Sequence, residues 1–178
     1  MINTANKWIG YLEHHSNDLL GIYNANVGKG YCTIFSAIIN QHYRWRNFTG
    51  VPWCAVFVHA VALEALGKTK ACELLGKPHP GTKVLARRIK RKGRLEGRDY
   101  LPHPGDLIFF HNGDGVIGHC GIVEKIEGDN VISVEGNAMD STGHFAKNQG
   151  GAVSRSTRSL TDQSIIGYGR IHDLLERR

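Results

Sequence analysis

The chain has little cysteine. Four cysteines stand at 32, 54, 72 and 120 in 178 residues, with no CxxC pair. That is too few and too dispersed for a disulfide scaffold, and it gives a structural zinc site weak support. Proline is scarce as well, five against 22 glycines. Many tight turns follow, without a collagen-like period. No stretch approaches the roughly 18 uninterrupted apolar residues of a membrane span. The N-terminus, Met1 to Trp8, lacks a basic region followed by an apolar run. No secretory signal is expected, and the chain acts where it is made or leaves by a route that needs none. Acidic residues are the minority, 16 against 22 Lys and Arg, for a formal charge of +6. What is present suffices for a core: 41% of residues are hydrophobic and 8% aromatic, which excludes wholesale disorder. The length fits one domain, 1–178, with a core over about 5–172.

The positive charge is concentrated. Lys83, Arg87, Arg88, Lys90, Arg91, Lys92, Arg94 and Arg98 lie in one run with Glu96 the lone acid. Such a patch attracts polyanions, nucleic acid or an anionic cell wall among them. A solvated helix face is the plainer reading. No aromatic interleaves the run, as a nucleic-acid reader would show.

Two unlike halves follow along the chain. The first reads as helical: Lys7 to about Tyr23, Cys32 to Tyr43, a buried helix from Trp53 to Leu66 ending at Gly67, and a basic helix over Gly81–Lys92. Residues 24–30 read as a loop. After Pro104 come short strand-like runs at Asp106–His111, Gly118–Ile126, Asn130–Ala138, Ala152–Thr157 and Ile165–Ile171. Turn residues separate them, including Asn112-Gly113-Asp114-Gly115 and Glu127-Gly128-Asp129. Helices first and an antiparallel meander afterwards predict an α+β domain.

The chemistry falls where the halves meet. Cys54 stands at the predicted N-terminus of the buried helix, where dipole and free N–H groups favour thiolate and an oxyanion. A buried structural cysteine is the other reading. A thiolate nucleophile needs a base, and the base an orienting partner. His119 lies in Gly118-His119-Cys120-Gly121-Ile122-Val123, and Glu135 in Val131–Asn137. A carboxylate in an apolar strand needs a reason. Strand alternation groups His119 with Gly121 and Val123, and Glu135 with Ser133 and Asn137. A hairpin loop of residues 127–129 sets His119 opposite Asn137, with Glu135 diagonal to it. A two-residue loop sends the two sets to opposite faces. Cys120 is expected to point away from His119 as a small core residue.

Trp53-Cys54-Ala55-Val56-Phe57-Val58, Pro104-Gly105-Asp106-Leu107-Ile108-Phe109-Phe110, Gly118–Val123 and Glu135-Gly136-Asn137 together resemble the CHAP domain. These are the cysteine, histidine-dependent amidohydrolases/peptidases of the NlpC/P60 superfamily. The resemblance implies a papain-like fold with N-terminal helices on a sheet of about five or six strands. It implies cysteine peptidase chemistry on bacterial peptidoglycan, as an N-acetylmuramoyl-L-alanine amidase or a stem or cross-bridge endopeptidase. Cys54 would be the nucleophile, His119 the base, Glu135 its orienter and Asn137 a support of that cluster. Trp53 and Gly118 would flank the substrate, with Trp53 equally suited to the core. Residues 139–150 would border the cleft. No metal or cofactor enters that chemistry. Some members hold calcium in an acidic loop before the nucleophile, but residues 24–52 contain no acid.

Phage lysis, wall remodelling and antibacterial attack are all contexts for such an enzyme. It would be a monomer with no nucleic-acid ligand, made in the cytoplasm and acting on the wall after release or with a delivery partner. The competing readings are a catalytically inactive wall-binding relative and a basic nucleic-acid-binding domain. A zinc protein using Cys54, His119 and Cys120 conflicts with strand alternation.

Overall fold

The computed structural model describes residues 1–13, 32–111, 113, 115–139 and 151–175. Among the described residues, the helices are α1 (Ile2–Asn6), α2 (Ile34–His42), α3 (Cys54–Leu75), α4 (Thr82–Arg91) and α5 (His172–Leu175). Six strands are β1 (Leu95–Glu96), β2 (Leu107–His111), β3 (Ile117–Glu127), β4 (Asn130–Ala138), β5 (Ala152–Ser159) and β6 (Ile165–Gly169). They form one antiparallel sheet in the order β1-β6-β2-β3-β4-β5. The class is α+β, as the order of patterns predicts.

Helix α3 is the axis of the fold. Every residue from Cys54 to Leu63 is buried. A helix apolar all round has no solvent side to show, so other elements must enclose it. Phe35 and Ile39 of α2 join its core cluster, as do Leu107, Phe109, Cys120, Ile122 and Val134 from one sheet face. The opposite face gathers Ile108, Phe110, Val123, Val131, Ile165 and Tyr168. Strand alternation therefore splits β2, β3 and β4 between two apolar clusters.

Two predicted helix boundaries move. Helix α1 ends at Asn6, where the sequence pattern places a helix over Lys7–Tyr23. Gly10 takes φ 89°. Beyond it the chain runs along β5, with Gly10 N donating to Val153 O and Val153 N to Tyr11 O. These bonds cover a sheet edge that would otherwise be open. Residues 14–23 and the predicted loop 24–30 lie outside the described residues. Gly67 does leave helical geometry, at φ 77°, but the helix resumes and runs to Leu75. Buried Ala71, Leu74 and Leu75 anchor that second segment. Strand β1, two residues long, shows no pattern of its own and exists through pairing with β6.

The β3–β4 hairpin reaches the expected phase by an unexpected route. Glu127 pairs with Asn130, so the turn holds only Gly128 and Asp129, not residues 127–129. A register shift then falls between Val123 and Lys125, and Val123 pairs with Ser133. Glu124 is the extra residue of a β-bulge. It restores the phase that an odd loop would have set, and returns His119 and Glu135 to one face. Glu124 is held in place by Arg155, whose Nε and Nη2 donate at 2.6 and 3.0 Å, and by Asn6 at 2.9 Å.

Candidate active site

Cys54 is the first residue of α3, after the N-cap Trp53. The first N–H groups of a helix have no partner within it, and they point past this thiol. Two glycines bring the helix end onto the strands. A Cβ on Gly136 would lie 2.5 Å from Phe57 Cβ and 2.8 Å from the Trp53 ring. One on Gly121 would lie 2.6 Å from Glu135 Cγ. With side chains at these two positions, α3 would stand off from β4 and Glu135 could not lie across β3.

Glu135 is 1% exposed. Its Oε2 accepts from His119 Nε2 at 2.8 Å and from Arg158 Nη2 at 3.3 Å. Its Oε1 accepts from Ser133 Oγ at 2.7 Å and from Arg158 Nη1. A buried carboxylate with this many donors is stabilised as the anion. Burial alone would raise its pKa, but the hydrogen bond and charge of His119 and the charge of Arg158 outweigh that and hold it down at about 2. Arg158 lies over the Phe110 ring at 4.3 Å, and His119 stacks on the same ring at 5.8 Å.

Glu135 occupies Nε2 of His119, which leaves Nδ1 as the nitrogen free to serve sulfur. His119 and Cys54 lie close enough for each to stabilise the charged form of the other. Burial of the imidazole opposes protonation, yet the hydrogen bonds to Cys54 and Glu135 prevail and push its pKa up to about 10. Cys54 moves the other way. A hydrogen bond from Cys120 is the largest influence holding its thiol pKa well below the ordinary value, against burial and with help from His119 and Thr82. Both shifts favour the charged forms, thiolate on Cys54 and imidazolium on His119.

Two of these neighbours were not evident from sequence. Thr82, first residue of α4, sets its Oγ1 3.3 Å from Cys54 Sγ. Cys120 sits in the core as expected, but on the sheet face that carries α3, so its thiol meets Cys54. Arg158 carries no mark in the sequence, and Ser133, grouped with Glu135 by strand alternation, has no role assigned to it there. Ser133 shares a strand face with Glu135, and Arg158 stands opposite Val131 on that same face. The even-numbered residues of β5 carry that signal.

Other predicted residues have different places. Trp53 is 0% exposed, stacked on Phe35 at 5.5 Å and donating from Nε1 to the buried Glu13 at 2.7 Å. It belongs to the core and not to a substrate wall, because α3 and Phe35 enclose its ring. Asn137 sits at φ 55°, in a register shift between β4 and β5. Its Oδ1 is buried without a hydrogen-bond partner, and among the described residues its side chain makes no hydrogen bond to His119 or Glu135. The bulge turns Asn137 out of the alternation that the expectation relied on. Gly118 borders a groove of about 530 Å³ beside Cys54. Residues 140–150 of the predicted cleft loop, and Asn112 and Asp114 of the predicted turn, lie outside the described residues. Among the described residues, no three His, Cys, Asp or Glu side chains are grouped to hold a metal ion.

Comparison with known proteins agrees with the motif reading. The CHAP domain family model matches residues 23–137. No curated protein matches the chain. Among solved structures, the crystal structure of Ly7917 is similar with a TM-score of 0.49 and 11% identity, over 94% of this chain and 59% of that one. The arrangement here, a cysteine-headed helix against an antiparallel sheet that carries the histidine, is papain-like. The family match spans well over half of the sequence and takes in Cys54, His119 and Glu135, so the chain belongs to the CHAP domain family.

Proposed function

We propose that the protein is a cysteine-dependent amidohydrolase that cleaves an amide bond of bacterial peptidoglycan. Its family is one of peptidoglycan hydrolases and amidases. The observation that carries the reading is the chain of contacts from Glu135 through His119 to Cys54 at a helix N-terminus.

The Cys54 thiolate attacks the amide carbonyl, and the carbonyl oxygen becomes an oxyanion beside the free N–H groups of the first turn of α3. Thr82, in contact with the sulfur, is placed to donate to the same negative charge. His119 passes its proton to the departing amine, and the acyl group stays on sulfur. Water then attacks the thioester while His119 takes its proton, which returns the thiolate–imidazolium pair. Glu135 holds the ring and its charge throughout, itself held by Ser133 and Arg158. The enzyme would act at the wall after release or delivery, as a lysin, a remodelling enzyme or an antibacterial effector.

The test is release of fragments from purified sacculi by the wild type and by Cys54→Ala, read by mass spectrometry. New lactyl-freed stem peptides identify an amidase, and new amino termini within stem or bridge an endopeptidase. Equal release by the two proteins overturns the reading.

A further inference from the structure

The groove beside Cys54 has a one-signed wall. Arg46, His79, Lys83 and Arg87 line it together with Cys54 and Thr82, and among the described residues no acid does. Lys83 and Arg87 are four apart on α4, on one side of the helix, and both are exposed. Arg46 arrives from the segment after α2. Four arginines outside the groove are matched: Arg94 pairs with Asp173, Arg155 with Glu124, Arg158 with Glu135 and Arg170 with Glu96. Arg46, Lys83 and Arg87 form no ion pair among the described residues. Three free cations in one concavity raise the local concentration of anions and favour a ligand that brings its own negative charge.

The position of that charge is constrained. The cations share a cavity with the nucleophile, so the anion they hold belongs to the molecule under attack, close to the scissile amide. Guanidinium groups match a carboxylate with two parallel N–H bonds.

We propose that this groove is a subsite for a carboxylate-bearing peptide segment, and that Arg46, Lys83 and Arg87 direct the enzyme to wall amides lying within a residue or two of a free carboxylate. The proposal rests on the hydrolase reading for its substrate. Unmodified acidic stem peptides are then preferred over stems whose carboxylates are capped as amides.

The experiment separates binding from turnover. Cys54→Ala is titrated by calorimetry with two N-acetylmuramoyl tripeptides, identical except that the carboxylates of the second and third residues are free or amidated. The free acid is expected to bind on the order of tenfold more tightly, the scale of one charge-assisted pair. Adding Arg46→Gln, Lys83→Gln and Arg87→Gln erases that difference and leaves binding of the amide unchanged. Adding Lys90→Gln, an exposed change on α4 outside the groove, leaves the preference intact. Equal binding of acid and amide by Cys54→Ala overturns the subsite. So does a triple variant that loses both ligands alike, or one that loses only attachment to walls carrying phosphate polymers. Turnover of the same tripeptides by the Cys54 enzyme and its triple variant supplies a separate readout. A preference in binding without turnover sinks the hydrolase reading and keeps the subsite.

Discussion

Two buried carboxylates among the described residues each hold a histidine, and only one of those histidines lies beside the candidate nucleophile. Glu135 meets His119 at 2.8 Å, and Asp106 meets His172 at 3.0 Å. Asp106 is 0% exposed and stands at the start of β2. Its Oδ1 accepts from the backbone N–H of Ile171 and His172, and its Oδ2 from His103 N and Tyr100 Oη. It ties the chain's last described helix to the turn before β2. The face of the His172 ring stacks on His103 at 4.2 Å, and among the described residues its other nitrogen has no hydrogen bond to a thiol. The far side of His119 meets a thiol at the head of a helix. The acid–histidine pair is common to both regions, and the partner on the other ring nitrogen decides whether it can move a proton to a reacting atom. Asp106 is clamped mainly by backbone donors, which suits a fastener. Glu135 is clamped by side chains, which leaves it to act on one more side chain.

The contrast breaks first at the histidines. His119→Ala should lower the rate on sacculi about 10³-fold per folded molecule, while His172→Ala should keep the rate per folded molecule. A lost rate in His172→Ala would place both pairs in the chemistry. Asp106→Ala comes next. It strands three backbone N–H groups and a tyrosine hydroxyl, and should cost about 3 kcal/mol in urea denaturation. The surviving folded enzyme should turn over normally.

Glu135→Gln keeps the shape and removes the charge. It should slow turnover by about 10²-fold, through a less basic and less well held imidazole. Stability would also change its pH profile. The raised His119 pKa contributes stability that is whole below about 6.5 and fades as pH climbs to about 10. The lowered Glu135 pKa contributes stability present above about 4.5 and lost as pH falls toward about 2. The contribution of these two groups should be greatest between those limits, near pH 4.5 to 6.5, and Glu135→Gln should flatten it on both sides. A profile identical to the wild type would remove the pair from the energetics. The smallest effect is expected from Cys120→Ala. Loss of its hydrogen bond should raise the Cys54 thiol pKa and slow alkylation by iodoacetamide a few-fold at pH 6. A faster reaction would reverse the role given to that thiol.

Much of this was legible in the chain. Cys54 before an apolar run, His119 among small residues and Glu135 in an apolar strand each carry local marks of their place. The structure brings these three together. Residues whose role comes from distant pairing carry no such mark. Arg158 reaches Glu135 across a strand pair, Thr82 reaches Cys54 from another helix, and Cys120 faces Cys54 because α3 covers that face of the sheet. The N-terminal helix was misplaced for a related reason. Its apolar spacing is helical, but Gly10 and the open edge of β5 claim the backbone for extended pairing.

The bulge at Glu124 has a consequence for how this hairpin can change over time. A strand pair counts its residues in twos. Removing Glu124, or adding one residue to the Gly128-Asp129 turn, would send every side chain before that point to the opposite face, His119 included. Two such changes together would bring it back. Between His119 and Glu135 the chain should thus accept insertions and deletions in even numbers and reject single ones. Turn length and bulge form a matched pair, in which one error cancels the other.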